Sequence, residues 1–174
     1  MYWFKKRLNN ATQLIYDEKN LESVMNILFV CTANINRSFM AERILQGQLE
    51  KHAKYNIDVS SAALIDMKAA AADPVAAELL IANGYDGSGH QSSLLTESKI
   101  DGADLILVME DSQGRLILDQ FPQAEGKIHL LNSYSQDYSE SNRDIKDPYR
   151  MSTYHYRLCF AEIYLAIQGL LKCI

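Results

Sequence analysis

The sequence predicts an α/β fold, a three-layer sandwich in which a four-stranded parallel sheet carries helices on both faces. Two observations support this prediction. Short apolar runs with the length of buried strands alternate with segments whose apolar residues recur at helical spacing. Strands that alternate with helices are joined by crossover connections, which make neighbouring strands parallel. We expect strands at about 27–30, 57–61, 103–109 and 127–131.

Residues at the helix ends support the same order of elements. Asp73 and Pro74 are typical of a capped helix start, and the helix that follows should stop at Asn83 and Gly84. Helices are expected at about 38–54, at 75–82, in a short turn after Thr96, from a cap at Asp111 or Ser112 to Gln120, and at about 152–173. In such sheets, ligands bind at the carboxyl ends of the strands.

The composition limits the possible classes of protein. Of 174 residues, 48% are apolar and 22% charged, which is typical of a soluble globular domain. The net charge of −5 gives no indication of nucleic-acid binding. Three cysteines without paired spacing indicate a reducing compartment, and no apolar run approaches the roughly 20 residues of a membrane span. The N-terminus also lacks the features of a signal peptide. We therefore expect a cytoplasmic protein without a membrane span.

Residues 1–24 form a separate extension ahead of a domain at 25–174. In the extension, Phe4, Leu8, Ala11 and Ile15 recur at helical spacing, which predicts a short amphipathic helix. A helix that packs on its own domain, or a frayed tail, is favoured over a helix that binds a partner or a membrane surface. Met25 is an alternative start, a choice that the sequence leaves open.

The stretch from Asn26 to Ala41 has the features of an anion site. A buried strand stops at Cys31, a loop of mostly small residues follows, and a helical pattern begins after Arg37. The loop amides, the helix N-terminus and a guanidinium can all face one anion, and a cysteine in such a field is a reactive thiolate. Cysteine and arginine at this spacing occur by chance in about one chain in eight, so the sequence context carries the argument.

Two motifs resemble the low-molecular-weight protein tyrosine phosphatase family. The family pattern V-C-x-G-N-x-C-R-S-P-x-A-E is similar to V-C-T-A-N-I-N-R-S-F-M-A-E from Val30 to Glu42, and the family's D-P-Y is similar to residues 147–149. The resemblance covers residues 25–174 and implies the strand order 2-1-3-4.

The resemblance also implies a mechanism. Cys31 attacks phosphorus and forms a phosphocysteine, Arg37 holds the phosphoryl oxygens, and Asp147 protonates the leaving group. Ser38 stabilises the thiolate, and neither a metal nor another cofactor is required. The implied phosphate-binding residues are Thr32, Ala33, Asn34, Ile35, Asn36, Arg37 and Ser38.

Other matching positions have supporting roles in the family. The resemblance implies that Asn34, Ser61 and His90 form a hydrogen-bond network that holds the loop. Tyr149 corresponds to an aromatic wall beside the substrate ring, and Met67 corresponds to the opposite wall. The implied partner is a phosphotyrosine-containing protein, with a bacterial tyrosine kinase as one candidate.

The chain departs from the family pattern at four positions. Ala33 replaces a glycine, at a cost of roughly 1–2 kcal/mol if its φ is positive. Asn36 replaces a cysteine that can protect the nucleophile as a disulfide, so oxidised Cys31 should pass more readily to irreversible acids. Phe39 replaces a proline, and Glu110 replaces an aspartate.

Three alternatives stay open. An arsenate reductase needs two further cysteines, but Cys159 and Cys173 lie in the last predicted helix. Arginine phosphatases of this fold tend to have threonine at the position of Ile35, whose larger side chain favours an aromatic ester. The third alternative is a catalytically weak protein that binds phosphorylated residues, and the substitutions in the loop motivate it.

Overall fold

The computed structural model describes residues 24–54 and 56–174. Four strands alternate with five helices in this part of the chain. The elements are β1 (Met25–Cys31), α1 (Arg37–Lys51), β2 (Ile57–Ala63), α2 (Pro74–Ala82), α3 (Glu97–Gly102), β3 (Leu105–Val108), α4 (Asp111–Gln120), β4 (Ile128–Leu130) and α5 (Thr153–Leu170). Short 3-10 turns at Pro122–Ala124 and Leu131–Tyr134 flank β4.

The four strands form one parallel sheet in the order β2-β1-β3-β4. The predicted fold class and strand order are confirmed. Strand β1 lies in the interior of the sheet, with Ile27 beside Val59 on one neighbour and beside Leu105 on the other. The sheet therefore holds the end of β1 rigidly, and the loop that leaves Cys31 begins at the carboxyl edge of the sheet.

Side chains alternate between the two faces of the sheet and form two apolar cores. On one face, Ile27 and Phe29 pack with α1, α2 and α5. On the other face, Leu28 and Val30 pack with residues of α3 and α4. Because β1 is buried on both faces, it is apolar at every position from Ile27 to Cys31, as parallel strands usually are.

Most predicted helix ends are confirmed, with three exceptions, the first of which is that α1 ends at Lys51 and not at about residue 54. Asp73 caps α2 through Val75 N at 2.9 Å, and the helix ends before Asn83 as expected. The predicted cap of α4 is wrong, because the cap position is Glu110 and the helix already includes Asp111. The last helix ends at Leu170, so Cys173 lies beyond it.

The extension predicted at residues 1–24 lies outside the described residues except for Val24, which is exposed. The division of the chain at Met25 therefore stays a prediction. In the part of the chain that the structure describes, no helix combines the length and the hydropathy that a membrane crossing requires.

Candidate active site

The predicted nucleophile lies at the end of β1 with its sulfur enclosed by hydrogen-bonding groups. Cys31 is only 2% exposed. Its Sγ lies 3.0 Å from Ser38 Oγ and accepts a hydrogen bond from Asn34 N at 3.3 Å. Hydrogen-bonding groups at these positions surround the sulfur, which is the arrangement that a cysteine nucleophile requires. The structure thus brings Cys31 and Ser38 together as the resemblance implies.

Asn34 fixes the shape of the loop. Its φ is +52°, in the left-handed region that asparagine tolerates better than most residues. Its Nδ2 donates to Ser38 Oγ at 2.9 Å and to Ser61 Oγ at 2.7 Å, and its Oδ1 accepts from Ser93 N at 3.0 Å. Asn34 and Ser61 therefore form part of the predicted network, which also includes Ser93.

Ala33 lacks the strain that its replacement of glycine could have caused. The positive φ of the loop belongs to Asn34 and not to Ala33. Ala33 is half-buried, and its carbonyl oxygen accepts a hydrogen bond from Ser92 Oγ at 2.8 Å. The conditional cost of roughly 1–2 kcal/mol therefore does not apply here.

The loop carbonyls are bonded by segments from elsewhere in the chain. His90 Nε2 lies 2.5 Å from Asn34 O, and Asp73 N donates to Ile35 O at 2.8 Å. Residues outside the loop therefore bind these two carbonyl oxygens, which point away from the centre of the loop. The amide groups of the loop are then the ones that can face an anion. His90 lies where the resemblance implies.

Arg37 is almost completely buried and held from two sides. It is 1% exposed, its Nη1 donates to Ile145 O at 2.9 Å and to the Glu110 carboxylate, and its Nη2 donates to Asp147 Oδ2 at 2.7 Å. The Nε is buried without a hydrogen-bond partner among the described residues. Burial acts to lower the pKa of Arg37, but the negative charges of Cys31, Asp147 and Glu110 outweigh burial and raise it.

Asp147 reaches the loop from the segment that precedes α5. Its side chain is 40% exposed, and its two oxygens have different partners. Oδ2 accepts from Arg37, while Oδ1 accepts from Tyr149 N at 3.0 Å and forms a local turn. The turn therefore presents the carboxylate to Arg37. Tyr149 is 47% exposed, as a wall of an open site would be.

Glu110 and Gln113 connect the site to α4. Gln113 is buried, and its Nε2 lies 3.3 Å from Glu110 Oε1 and 3.4 Å from Thr32 Oγ1. Its Oε1 accepts from Met109 N at 3.0 Å. Gln113 therefore orients the carboxylate that binds Arg37. Gln113 was not predicted from the sequence, although its place one helical turn after Glu110 was a usable signal.

Phe39 supports His90. The Phe39 ring is fully buried and lies 4.3 Å from the His90 ring between centroids. The Arg43 guanidinium lies 5.8 Å from the centre of the same phenyl ring. Where the family pattern has proline, this chain therefore has an aromatic side chain that contacts His90, and His90 binds the loop carbonyl of Asn34.

Asn36 borders a second buried polar group. Asn36 is 3% exposed, and neither atom of its amide has a hydrogen-bond partner in the described part of the chain. Nearby, Tyr156 donates from its hydroxyl to Asp73 Oδ2 at 2.9 Å. Burial, followed by the bond to Asp73, raises the pKa of Tyr156 to about 12, an effect that the Asn36 amide opposes. The Tyr156 phenol is therefore neutral near pH 7.

Three further positions complete the site. Thr32 is exposed and Ile35 half-buried at its surface. Met67 is half-buried in the loop after β2, and its role as a wall of the site stays a prediction.

Ser61 also donates to the Glu42 carboxylate, a contact that was not predicted from the sequence. Within residues 24–54 and 56–174, His, Cys, Asp and Glu side chains form no group of three suited to a metal.

Comparison with known proteins assigns the family. The family model described as low molecular weight phosphotyrosine protein phosphatase matches residues 26–174. The chain belongs to this family. A probable low molecular weight protein-tyrosine-phosphatase of Ralstonia nicotianae is 36% identical over 127 residues, which are 73% of this chain and 80% of the relative. The resemblance drawn from the sequence is thereby confirmed.

Other members of the family carry two different activities in their names. A protein-arginine-phosphatase of Bacillus subtilis is 34% identical over 125 residues, which are 72% of this chain and 80% of that protein. The low molecular weight protein tyrosine phosphatase of T. tengcongensis has a similar structure, with a TM-score of 0.79 and 31% identity over 86% of this chain and 99% of that one. Membership alone therefore leaves the choice between the two phosphorylated residues to the site.

Proposed function

We propose that this protein hydrolyses phosphotyrosine in other proteins through a phosphocysteine intermediate on Cys31. The observation that carries the proposal is the arrangement around Arg37. Its Nη2 binds Asp147 at 2.7 Å, while the buried Nε lacks a partner. Nε and Nη2 lie on the same side of a guanidinium and are the pair that grips two phosphoryl oxygens. Cys31 as nucleophile, Arg37 as phosphate-binding residue and Asp147 as acid then surround one phosphoryl group.

In the first step, Cys31 Sγ attacks phosphorus as a thiolate. A sulfur–phosphorus bond forms while the bond between phosphorus and the tyrosine oxygen breaks. The Ser38 hydroxyl, 3.0 Å from the sulfur, stabilises its negative charge before the attack. Arg37 and the loop amides stabilise the charge on the equatorial oxygens as the transition state forms.

Asp147 handles the proton in both steps. In its protonated form it gives the proton to the departing phenolate. In the second step water attacks phosphorus, Asp147 takes a proton from that water, and the sulfur–phosphorus bond breaks to release phosphate and the thiolate. The contact between Asp147 and Arg37 supports this role, because the carboxylate stands beside the residue that grips the phosphoryl group.

The residues around the mouth of the site favour an aromatic ester over phosphoarginine. Ile35 presents a branched apolar side chain where the arginine phosphatases of this fold tend to have threonine. Tyr149, 47% exposed, offers an aromatic face to the substrate ring. Met67 is proposed as the softer opposite wall. The partner is then a tyrosine-phosphorylated protein, of which a bacterial tyrosine kinase is one candidate, and a cytoplasmic location stays a prediction.

The decisive assay compares hydrolysis of p-nitrophenyl phosphate, a phosphotyrosine peptide and a phosphoarginine peptide by the wild type and by Cys31→Ser. Turnover of the two aromatic esters by the wild type, its loss in the variant and slow turnover of phosphoarginine are expected. If the wild type binds the phosphotyrosine peptide without cleaving it, the protein is instead the catalytically weak protein that binds phosphorylated residues. Faster turnover of phosphoarginine would reassign the substrate.

Asp147→Ala tests the assignment of the acid. We expect a large loss of kcat with phenyl phosphate and a smaller loss with p-nitrophenyl phosphate, because the nitrophenolate leaves without a proton. Tyr149→Ala is the matched control in the same turn. Its effect should fall on KM and depend little on the leaving group. Equal losses with both esters in Asp147→Ala would contradict the assignment.

A further inference from the structure

The outer face of α5 carries an apolar stripe that the described residues leave largely exposed. Tyr154 is 69%, Leu158 46% and Leu165 51% exposed, and Ala161 is exposed between them. The opposite face of α5 already packs in the core through Tyr156, Cys159, Phe160, Ile163, Ala166, Ile167 and Leu170. The stripe is therefore a second apolar face of α5. Patches of this kind usually mark a contact surface.

The spacing of the stripe is that of a helix–helix contact. Positions 154, 158, 161 and 165 are separated by four, three and four residues. Alternating spacings of four and three residues are those of the apolar positions in a heptad repeat, with which two helices pack along a shared seam. An irregular peptide or a flat sheet would gain less from such a pattern. The expected occupant is consequently an amphipathic helix with the same repeat.

The N-terminal extension contains that repeat. Phe4, Leu8, Ala11 and Ile15 are also separated by four, three and four residues. Aligned in parallel, aromatic Phe4 meets Tyr154, and alanine 11 meets alanine 161. The two leucines and the Ile15–Leu165 pair fill the remaining positions. The large and small side chains thus fall at the same places in both segments.

The path of the chain fits this parallel alignment. Helix α5 begins six residues after Asp147, near the site. It runs to the side of the sheet where the amino ends of the strands lie, and there Ile174 O binds Lys54. Met25 starts β1 at that edge, with its N bonded to Asn56 O at 2.9 Å, and packs against the core cluster that includes Leu170 and Ile174. Nine residues, 16–24, can span up to about 30 Å, more than the roughly 8 Å rise from Leu165 to Leu170.

We propose that residues 4–15 form a helix that docks on the Tyr154–Leu165 stripe of α5, parallel to it and within the same molecule. The short connection favours this occupant over a second copy, because it holds the extension at an effective concentration on the order of millimolar. The docked helix places Lys5, Lys6 and Arg7 at the end of α5 nearest the site.

The single tryptophan of the protein, Trp3, reports directly on this docking because it precedes Phe4. The test measures emission and acrylamide quenching of Trp3 in the full chain. We expect blue-shifted, weakly quenched emission in the wild type. Leu158→Glu should give red-shifted emission and a several-fold larger quenching constant, since a carboxylate in the seam would have to lose its water. Leu116→Glu is the matched control, because Leu116 is an exposed leucine (49%) on α4, across the sheet.

Rescue variants test the register. Leu8→Lys in the Leu158→Glu background should restore shielding of Trp3, because the two charges meet in the proposed alignment, and Ile15→Lys in that background should not. Circular dichroism confirms that each variant is folded. Exposed Trp3 in the wild type, or shielding that Leu158→Glu leaves unchanged, would overturn the proposal. Shielding that disappears on dilution, together with a doubled mass in sedimentation, would assign the stripe to a second copy and also overturn it.

Discussion

At the scale of single residues, substitutions in the phosphate loop are accompanied by contacts around them. Phe39 stands where the family pattern has proline, and its ring contacts, in a tilted arrangement, the ring of His90, which in turn binds the Asn34 carbonyl. Asn36 stands where the pattern has cysteine, and its buried amide acts to lower the pKa of Tyr156. Each substituted side chain is itself buried next to the loop. The loss at Asn36 is chemical, because an amide cannot form a disulfide.

The first prediction concerns oxidation at Asn36. Peroxide converts the Cys31 thiolate to a sulfenic acid, which a neighbouring thiol can capture as a disulfide with release of water. Asn36→Cys should therefore raise the fraction of phosphatase activity that dithiothreitol restores after a pulse of peroxide. Asn36→Ser serves as the control without a thiol. Equal recovery in the wild type, the Asn36→Cys variant and the control would contradict the prediction.

At the scale of elements, Asp73 joins three parts of the fold beneath the site. Its backbone N donates to Ile35 O in the phosphate loop at 2.8 Å. Its Oδ1 caps α2 through Val75 N, and its Oδ2 accepts from Tyr156 on α5. The backbone amide of Asp73 thus binds the loop, while two helices are joined by its carboxylate. Its removal would leave the amides at the start of α2 and a buried phenol without partners.

The second prediction is that Asp73→Ala destabilises the protein far more than the loss of an ordinary cap. A lost cap and an unpaired buried hydroxyl together should cost about 2–3 kcal/mol of unfolding free energy. Thr96→Ala is the control, because Thr96 caps α3 at its exposed end through one bond of 3.4 Å to Lys99 N, and about 0.5 kcal/mol is expected there. Urea titration measures both variants. Similar losses would show that the bond to Tyr156 contributes little.

A double-mutant cycle with Tyr156→Phe separates the two roles of Asp73. The phenylalanine variant keeps the cap of α2 and removes only the hydroxyl. If the hydroxyl bond matters, the double variant should be less destabilised than the sum of the single changes. Strict additivity of the unfolding free energies would assign the whole effect of Asp73 to the cap.

At the scale of the whole molecule, the sequence predicted what depends on periodicity and on motif. The placement of Cys31 beside Ser38 and the approach of Asp147 to Arg37 follow from two motifs, and the sheet order follows from the family resemblance that those motifs carry. Contacts between distant segments that neither motif includes were not predictable. Gln113 to Thr32 and Tyr156 to Asp73 are single hydrogen bonds across 81 and 83 residues, and no local pattern encodes them.

The errors have physical causes as well. The last helix was predicted to reach Cys173 because the terminal residues remain apolar. Ile174 is buried without being helical, and burial of this kind gives the same apolar signal. The conformation of the loop depends on its closure between β1 and α1. Residue types alone could not decide whether the positive φ belongs to Ala33 or to Asn34.

The third prediction concerns the stability of the whole domain between pH 7.5 and 5.5. His129 lies half-buried on β4, and burial lowers the pKa of its imidazole, against a smaller opposing effect of the Gly126 backbone. The folded state therefore disfavours the protonated ring, while the unfolded chain binds a proton near its ordinary pKa of about 6.5. As the pH falls through that value, protons favour the unfolded chain. His129 then removes at most about 1.4 kcal/mol of unfolding free energy per pH unit.

Urea titrations across this range measure the slope of unfolding free energy against pH. His129→Gln should flatten the slope on the acid side, whatever its effect on stability at pH 7.5. His52→Gln, which removes an exposed histidine at the end of α1, should leave the slope as in the wild type. Because the contribution comes from a neutral imidazole in the folded state, stability is retained above the unfolded pKa and is lost as the pH falls. An unchanged slope in His129→Gln would mean that β4 accommodates the charged ring.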